Sequence, residues 1–234
     1  MKLSIATIYT EDIKELAVIT VEYNKRKYCE KHGYDLNVKT NNFQCSDFGF
    51  AKIAFVLDLL KSGKYSWVFW CGSDTMITNY GIKLEDLIDD NYHFIIANDV
   101  WDLNADSFLI KNSPEAISFF EKVYSLYDKY IDKNGKPIDD GSRLPDGGTK
   151  AWAEQKAIID LKSEYEKIIK VVPQKTLNSY CYWIYPSKWH QAGKDCLGND
   201  GSWSSGDFLV HWPGLPNNVR VNLALNFIKQ VKNE

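Results

Sequence analysis

The residues from Tyr65 to Asn79 combine the pattern of a buried strand with a single acid at its end. The run from Tyr65 to Cys71 is aromatic, apolar and β-branched, and it stops at small residues and Asp74. In an open α/β sheet, ligands bind just beyond the carboxyl ends of the strands. A carboxylate there can hold a divalent cation against a diphosphate. Asp74 is therefore a candidate metal ligand, and the alternative is an acid that caps a turn.

A second ligand for such a cation has to come from a distant part of the chain, and residues 206–214 offer one. An apolar strand there delivers His211 to a Pro-Gly turn, and the backbone amides of that turn, which ends at Gly214, can approach phosphate. The alternative for His211 is a hydrogen-bonded, partly buried histidine. The sequence thus predicts Asp74 and His211 as ligands of Mn²⁺ or Mg²⁺.

Three residues nearer the start are candidates for nucleotide binding. Thr7 and Tyr9 come at the end of the first predicted strand, where they can hydrogen-bond to a nucleobase and stack on it. Lys52 lies on an amphipathic helix before the acid-bearing strand and is a candidate partner of phosphate, although many such lysines face solvent. These groups together predict a site for a nucleotide-diphosphate sugar.

The first 80 residues alternate between strand and helix patterns. The predicted elements are strands at 3–9, 34–40 and 65–71 and helices at 15–31 and 50–61. Gly33 and Gly63 follow the two helices as C-terminal caps. A β-α-β-α-β order predicts an α/β fold with a mostly parallel central sheet and flanking helices.

The second half of the chain is less regular. Its predicted elements are a helical turn at 84–88, strands at 94–97, 107–110 and 168–173, and helices at 113–130, 152–161 and 218–231. The Gly- and Asp-rich residues 139–148 are a candidate flap over a bound donor. Because the sequence has no repeat and no linker, we expect one domain over 1–234. Its residues 1–80 would bind the nucleotide, and its residues 81–234 would bind the donor sugar and the acceptor.

The composition argues against several classes of partner and compartment. A net charge of -3 gives no basis for a nucleic-acid or anionic-membrane partner. The five cysteines contain no C-x-x-C pair, so we expect reduced thiols, with a Cys181–Cys196 bridge as the alternative. The first apolar stretch is too short for a signal peptide or membrane anchor. We therefore expect a soluble, cytoplasmic protein, and the sequence leaves its oligomeric state open.

Seven blocks of residues resemble, in the same order, motifs of the galactosyl/xylosyltransferase family of GT-A glycosyltransferases. The blocks are residues 24–34, 50–52, 70–79, 104–113, 152–155, 172–180 and 206–214. Residues 70–79 resemble W-x-D-x-D-A-x-x-T-N, and residues 104–113 are similar to N-A-G-x-F-L-I-R-N-S. Residues 172–180 match V-P-Q-x-x-x-N-S-Y, and residues 206–214 resemble G-D-F-x-x-H-F-A-G. The chain is also similar to small, anchorless GT-A enzymes of chlorella viruses.

The resemblance implies a GT-A fold, the Rossmann-like architecture of nucleotide-diphospho-sugar transferases, and a set of site residues. It implies transfer of a sugar from a nucleotide-diphosphate sugar, a UDP-sugar first of all, to a hydroxyl of an acceptor glycan. The resemblance implies that Ser73 binds the donor and that Asp99, Asn104 and Asp106 hold donor hydroxyls. It also implies that Glu154 and Gln155 face the reacting centre. If the enzyme inverts the configuration of the anomeric centre, Asp106 or Glu154 is the candidate base that takes the acceptor proton. If it retains that configuration, as the family does, no such base is required, and Gln155 or the leaving phosphate takes this role.

Two positions depart from the family pattern. The first acid of D-x-D is Gly72 here, and the glycine of N-A-G is Asp106. Loss of one acid leaves fewer oxygen ligands, which predicts a cation held more weakly and more dependent on the diphosphate. The alternatives are a changed donor or a metal-independent enzyme.

Two other functions compete with this hypothesis. The first is a non-catalytic protein of the same fold that binds nucleotide sugars or carbohydrates, for which Gly72 is the best argument. The second is a nucleotidyltransferase that makes sugar nucleotides. That class carries a Gly-rich phosphate loop with a basic signature after the first strand, and residues 7–15 contain none.

Overall fold

The protein is built around a central mixed β-sheet. The structure is a computed structural model that describes residues 1–141, 153–184 and 193–232. Its strands are β1 (Leu3–Ile8), β2 (Asp35–Lys39), β3 (Trp67–Cys71), β4 (Thr75–Ile77), β5 (Phe94–Asn98), β6 (Leu103–Lys111), β7 (Ile169–Val172), β8 (Ser179–Tyr180) and β9 (Leu209–His211). Six of these strands form the central sheet in the order β2-β1-β3-β6-β5-β7.

The helices surround this sheet. They are α1 (11–32), α2 (Phe48–Lys61), α3 (Leu84–Leu87), α4 (Pro114–Ser125), α5 (Tyr127–Tyr130), α6 (Ala153–Leu161), α7 (Gln174–Leu177) and α8 (Asn217–Phe227). Helix α1 contains a π-helix, Val18–Lys25, between two α-helical stretches, and it ends at Gly33 with φ of 73°. Ser113 caps α4 by accepting from the backbone N–H of Ala116, and proline follows it at the first helical position.

The predicted α/β class is confirmed, and strand β6 is the main exception to parallel order. Strands β1–β2, β1–β3 and β5–β7 pair in parallel, whereas β6 runs antiparallel to both β3 and β5. Strand β6 also begins earlier than the predicted 107–110, because Leu103 and Asn104 pair with β5 beyond a bulge after Ile96. The start of β6 therefore lies beside the end of β3.

Two apolar layers hold the sheet between helices. On one face, α2, α4 and α6 cover side chains such as Val68, Phe94 and Phe108. On the other face, Tyr28 of α1, Leu177 of α7 and residues near β9 cover the alternate side chains. This alternation follows from the period-2 geometry of strands buried on both faces.

A second, three-stranded sheet was not predicted from the sequence. It has the order β4-β9-β8, and its strands contain only two or three residues each. Thr75 of β4 pairs with His211 of β9 in an antiparallel register. Tyr180 of β8 pairs with the same histidine in a parallel register. Strands this short carry too few residues for a periodic pattern.

Other expectations have mixed outcomes. The predicted helix 113–130 is divided at Leu126 into α4 and α5, and the last helix runs from 217 to 227 with a 3₁₀ turn after it.

All five cysteines are free thiols, so the Cys181–Cys196 alternative is wrong. Most of the candidate flap, residues 142–148, lies outside the described residues. None of the described helices has the length and apolar character that a membrane crossing needs.

Polar side chains from the π-helix of α1 bind the backbone of the segment that carries Asp74. Thr20 Oγ1 donates to the carbonyl of Ser73 at 2.6 Å, and Lys25 Nζ donates to the carbonyl of Thr75 at 2.7 Å. Asn24 donates from Nδ2 to the carbonyl of Ile77 at 2.8 Å and accepts from the Ile77 N–H at 2.9 Å. The three side chains are fully buried, so the backbone of residues 73–77 depends on them for hydrogen bonds.

We predict that Asn24→Ala lowers the free energy of unfolding by about 3 kcal/mol, because it leaves the buried backbone groups of Ile77 without partners. Urea denaturation measures this loss. Asn226→Ala, at an exposed position of α8, is the control and should change stability by less than about 0.5 kcal/mol. An equal effect of the two substitutions would contradict the role assigned to Asn24.

Candidate active site

The ends of several strands meet at one edge of the central sheet. Strands β1 and β3 run in parallel, so the residues after each lie at the same edge. Strand β5 ends there as well, and β6 begins there because it is antiparallel to both neighbours. Residues 72–74, 98–99 and 104–106 are therefore brought together, as expected for a ligand site in an open α/β sheet.

Asp74, Asp106 and His211 form a cluster at this edge. Each residue offers one ligand atom, and the three atoms lie within 4.8 Å of one another. His211 Nε2 is 2.9 Å from Asp106 Oδ2 and 3.6 Å from Asp74 Oδ1. The sequence predicted Asp74 and His211 for a cation and Asp106 for the donor sugar. The structure instead brings all three side chains to one point.

Asn178 orients the imidazole of His211 for this arrangement. Its Oδ1 lies 2.7 Å from His211 Nδ1, and its Nδ2 donates to Tyr180 OH at 3.2 Å. Because a carbonyl oxygen only accepts, Nδ1 carries a hydrogen and the neutral ring presents a lone pair at Nε2. Nε2 is buried and has no hydrogen bond of acceptable geometry within the described residues. Two carboxylates and an oriented imidazole fit a divalent cation.

The charges of the cluster are strongly coupled. Burial lowers the pKa of His211, but the carboxylates of Asp74 and Asp106 outweigh burial and raise the pKa to about 9. Burial raises the pKa of Asp74, and repulsion from Asp106 adds to this shift. For Asp106, burial is outweighed by attraction to the adjacent imidazole of His211, which lowers its pKa. A protonated His211 thus offsets part of the negative charge of the two carboxylates.

Two clefts open on either side of this cluster. One has a volume of about 330 Å³ and the other about 300 Å³. The side chains common to both walls belong to Lys52, Asp74, Asp106 and Glu154. The first cleft is also lined by Asp99, Trp101, Asn104, Gln155, Tyr180, His211 and Gly214, and the second by Ile8, Tyr9, Thr10, Phe48, Trp70 and Ser73. One extended ligand can therefore occupy both clefts and pass the cluster.

A network of polar side chains forms the floor of the first cleft. The carboxylate of Asp99 accepts from the backbone N–H of Trp101 at 2.7 Å and from Tyr180 OH at 2.9 Å. Asn104 Nδ2 donates both to Asp99 Oδ2 and to Tyr180 OH. Burial nevertheless raises the pKa of Asp99. Such a fixed group of donors and acceptors can bind the hydroxyls of a sugar.

Lys52 and Glu154 form a buried ion pair in the wall between the clefts. Lys52 Nζ lies 2.6 Å from Glu154 Oε1 and donates to the carbonyl of Ala105 at 2.7 Å. Only 6% and 11% of the two side chains are exposed. The next residue, Gln155, accepts the Ala105 N–H through Oε1 at 2.9 Å. Helix α6 is thereby tied to the start of β6 through both of its predicted site residues.

The other predicted residues are placed differently from one another. Tyr9 and Ser73 line the second cleft, and Tyr9 OH donates to Glu22 at 3.2 Å. Gly214 lines the first cleft, although it was predicted for phosphate. Thr7 is fully buried within β1 and is not among the residues that line the two clefts. The structure therefore does not bring Thr7 to the position expected for base recognition.

Comparisons with known proteins fit this geometry. Residues 5–91 match the sequence model of the galactosyl transferase GMA12/MNN10 family. An uncharacterized alpha-1,2-galactosyltransferase of Schizosaccharomyces pombe is 28% identical over 136 residues, which cover 40% of this chain and 36% of that relative. The chain thus spans about a third of the length of this curated relative.

Solved structures extend the similarity over nearly the whole chain. A glycosyltransferase involved in the glycosylation of the major capsid of PBCV-1 matches with a TM-score of 0.68 at 16% identity, covering 97% of this chain and 100% of that one. The galactosyltransferase LgtC, solved with donor and acceptor sugar analogs, matches with a TM-score of 0.53 at 11% identity, covering 97% and 95%. GlyE of Streptococcus pneumoniae matches with 0.55 at 14% identity, covering 99% of this chain and 65% of its own.

The chain has the GT-A glycosyltransferase fold. The fold class and the resemblance to glycosyltransferases predicted from the sequence are confirmed. The four blocks between 104 and 214 lie beyond the family match, which ends at residue 91, and only the similarity of fold covers them.

Arg220 is a residue of this GT-A site that the sequence interpretation missed. Its Nη2 lies 3.2 Å from Asp74 Oδ2, and its Nε donates to the carbonyl of Trp212 at 3.0 Å. The residue sits on α8, and no motif surrounds it. Asn178 and Tyr180 were contained in a quoted block but were given no role. The sequence contained a signal for these two residues, because polar residues that follow an apolar strand, here the predicted strand 168–173, are candidates for a polar network.

We predict that Lys52→Met lowers the free energy of unfolding by about 3–5 kcal/mol at pH 8, because it leaves Glu154 buried and unpaired. The pKa of Glu154 is already raised by burial, and removal of the lysine raises it further. A carboxyl whose folded pKa lies above its unfolded value loses stability as pH rises between the two. The loss should therefore be smaller at pH 5, where Glu154 can take up a proton.

Urea denaturation at pH 5 and pH 8 measures both values. Lys61→Met is the matched control, since Lys61 pairs with Glu121 at the surface and each side chain is 51% exposed. Its effect should be small at both pH values. A loss for Lys52→Met that is independent of pH would contradict an unpaired carboxylate as its cause.

Proposed function

We propose that the protein transfers a sugar from a UDP-sugar to a hydroxyl of an acceptor glycan, assisted by a divalent cation. The observation that carries this proposal is the position of the Asp74–Asp106–His211 cluster between two adjoining clefts. A nucleotide in one cleft and a sugar in the other would place the connecting diphosphate at the cluster. The fold and the family match support the same reaction class.

Asp74, Asp106 and His211 would hold the cation. When bound, the cation supplies compensation for the negative charge that develops on the leaving diphosphate. Arg220 keeps Asp74 in place from the other side, and Asn178 keeps the His211 ring in the orientation that presents Nε2. These two contacts restrain the side chains that would hold the cation.

Each cleft suits a different end of the donor. The cleft lined by Tyr9 and Phe48 offers aromatic surface for a nucleobase, while the cleft above Asp99, Asn104 and Tyr180 offers hydrogen bonds for sugar hydroxyls. The curated relative is named an alpha-1,2-galactosyltransferase, so UDP-galactose is the first donor to test.

The ion pairs and hydrogen bonds of the carboxylates in the clefts favour a reaction that retains the anomeric configuration. Among the described residues, the carboxylates that line the clefts are all engaged: Asp74 by Arg220, Asp99 by Tyr180 and backbone, Asp106 by His211 and Glu154 by Lys52. An inverting transfer needs a free carboxylate to accept the acceptor proton. In a retaining transfer the acceptor oxygen bonds to the anomeric carbon on the face that the diphosphate leaves, and the proton passes to a diphosphate oxygen.

We predict that UDP binds in the presence of Mn²⁺ at least tenfold more tightly than GDP, and that Asp74→Asn weakens UDP binding at least tenfold. The carboxamide removes the charge that holds the cation against the diphosphate. Isothermal titration of UDP and GDP, with and without Mn²⁺, measures these affinities.

Asp90→Asn is the control for this titration, because Asp90 is an exposed acid that pairs with Lys111 at the surface. It should bind UDP as the wild type does. If the affinity for UDP changed neither with Mn²⁺ nor with the Asp74 substitution, the cluster would have no part in the mechanism. Failure to bind any nucleotide would instead favour the non-catalytic alternative.

We further predict that the glycosidic bond in the product has the same anomeric configuration as the donor. Proton NMR of the reaction mixture distinguishes the two anomers by the coupling constant of the anomeric proton. The spectrum has to be taken early, before free sugar from hydrolysis equilibrates. A product of opposite configuration would contradict retention and would make Glu154 the leading candidate for the base.

A further inference from the structure

Gly72 and Asp106 face each other across two antiparallel strands. Gly72 follows β3 directly, and its N–H donates to the carbonyl of Asp106 at 2.9 Å. Gly72 is not among the glycines with positive φ, so its backbone conformation does not call for glycine. The reason for glycine at this position has to be sought in the space around it.

That space is filled by the carboxylate of Asp106. A Cβ atom built on Gly72 would lie 2.6 Å from Oδ2 and 2.7 Å from both Cγ and Oδ1 of Asp106. Contacts this short do not occur between a Cβ and a carboxylate. Any side chain at position 72 would therefore have to occupy the volume that now holds the carboxylate, or displace it.

The same carboxylate is the one that reaches His211. Asp106 Oδ2 lies 2.9 Å from His211 Nε2, and Asp74 Oδ1 lies 3.6 Å from the same nitrogen. A carboxyl carbon is one bond, about 1.5 Å, from its Cβ. An aspartate at position 72 would thus bring its carboxyl group close to the point that the Asp106 group occupies now.

We propose that positions 72 and 106 share one carboxylate slot of the cation site, which either strand can fill. Glycine at 72 leaves room for Asp106, and Asp106 supplies the oxygen ligand that would otherwise come from the end of β3. The two departures from the family pattern are then a single rearrangement in which the ligand moves from one strand to its neighbour. This inference rests on the proposed cation-assisted function.

The first test is an exchange of the two residues. Asp106→Gly should weaken Mn²⁺ binding at saturating UDP at least tenfold, and the double variant Gly72→Asp/Asp106→Gly should restore it to within about threefold of the wild type. Electron paramagnetic resonance of free Mn²⁺ measures the affinity directly and does not depend on turnover. Asp90→Gly is the control, since Asp90 is an exposed acid that pairs with Lys111, and it should bind Mn²⁺ normally.

The second test remains decisive if the exchanged protein does not fold. Gly72→Ala should lower the melting temperature of the wild type by about 4 °C, because the methyl group collides with the Asp106 carboxylate. The same substitution in the Asp106→Gly background should change the melting temperature by less than about 1 °C. The difference between the effects of Gly72→Ala in the two backgrounds can be measured without a metal ion.

Several outcomes would overturn the proposal. They are unchanged Mn²⁺ affinity in Asp106→Gly, a folded double variant that binds Mn²⁺ no better than Asp106→Gly, and equal effects of Gly72→Ala in the two backgrounds. If the wild type itself does not bind Mn²⁺ with UDP, the proposed function fails. An uncoupled pair of melting temperatures would then reject the shared slot separately.

Discussion

The site depends on the contact between the π-helix of α1 and the backbone of residues 73–77. Buried side chains of Thr20, Asn24 and Lys25 supply hydrogen bonds that this irregular segment cannot obtain from the central sheet. The segment carries Asp74 and continues into β4, which pairs with β9 and therefore with His211. One set of buried polar contacts thus positions two members of the cluster, Asp74 and His211, that are more than 130 residues apart in the chain.

The antiparallel course of β6 supplies the third member of the cluster. In a sheet with only parallel strands, the neighbour of β3 would present its carboxyl end at this edge, followed by a loop. Strand β6 instead presents its first residues, where Asn104 pairs with Ala97 of β5 and the carbonyl of Asp106 accepts from the Gly72 N–H. A side chain on a hydrogen-bonded strand is better positioned than one on a loop. The glycine at 72 therefore does not require the loss of a carboxylate from the site.

The sequence predicted the parts of the fold that have strong periodic patterns and the residues that lie at strand ends. The β-α-β-α-β order of the first 80 residues is confirmed, because each element is long enough to show its period. The small second sheet was missed since its strands have two or three residues. Asp106 was expected beside the sugar, because a sequence does not show which side chains meet across antiparallel strands. Arg220 has no local signal, since its role comes only from how α8 packs.

The cluster and its surroundings form three pairs of opposite charges: Asp74 with Arg220, Asp106 with His211, and Glu154 with Lys52. With His211 protonated, each of these three pairs carries no net charge. A dication that enters alone displaces a proton and leaves excess positive charge, while a diphosphate that enters alone meets the carboxylates. Only their joint arrival keeps the charge near balance. Under the proposed cation-assisted function, we therefore expect the cation to bind as a complex with the nucleotide and to leave with the spent diphosphate, with exchange of the metal at every turnover.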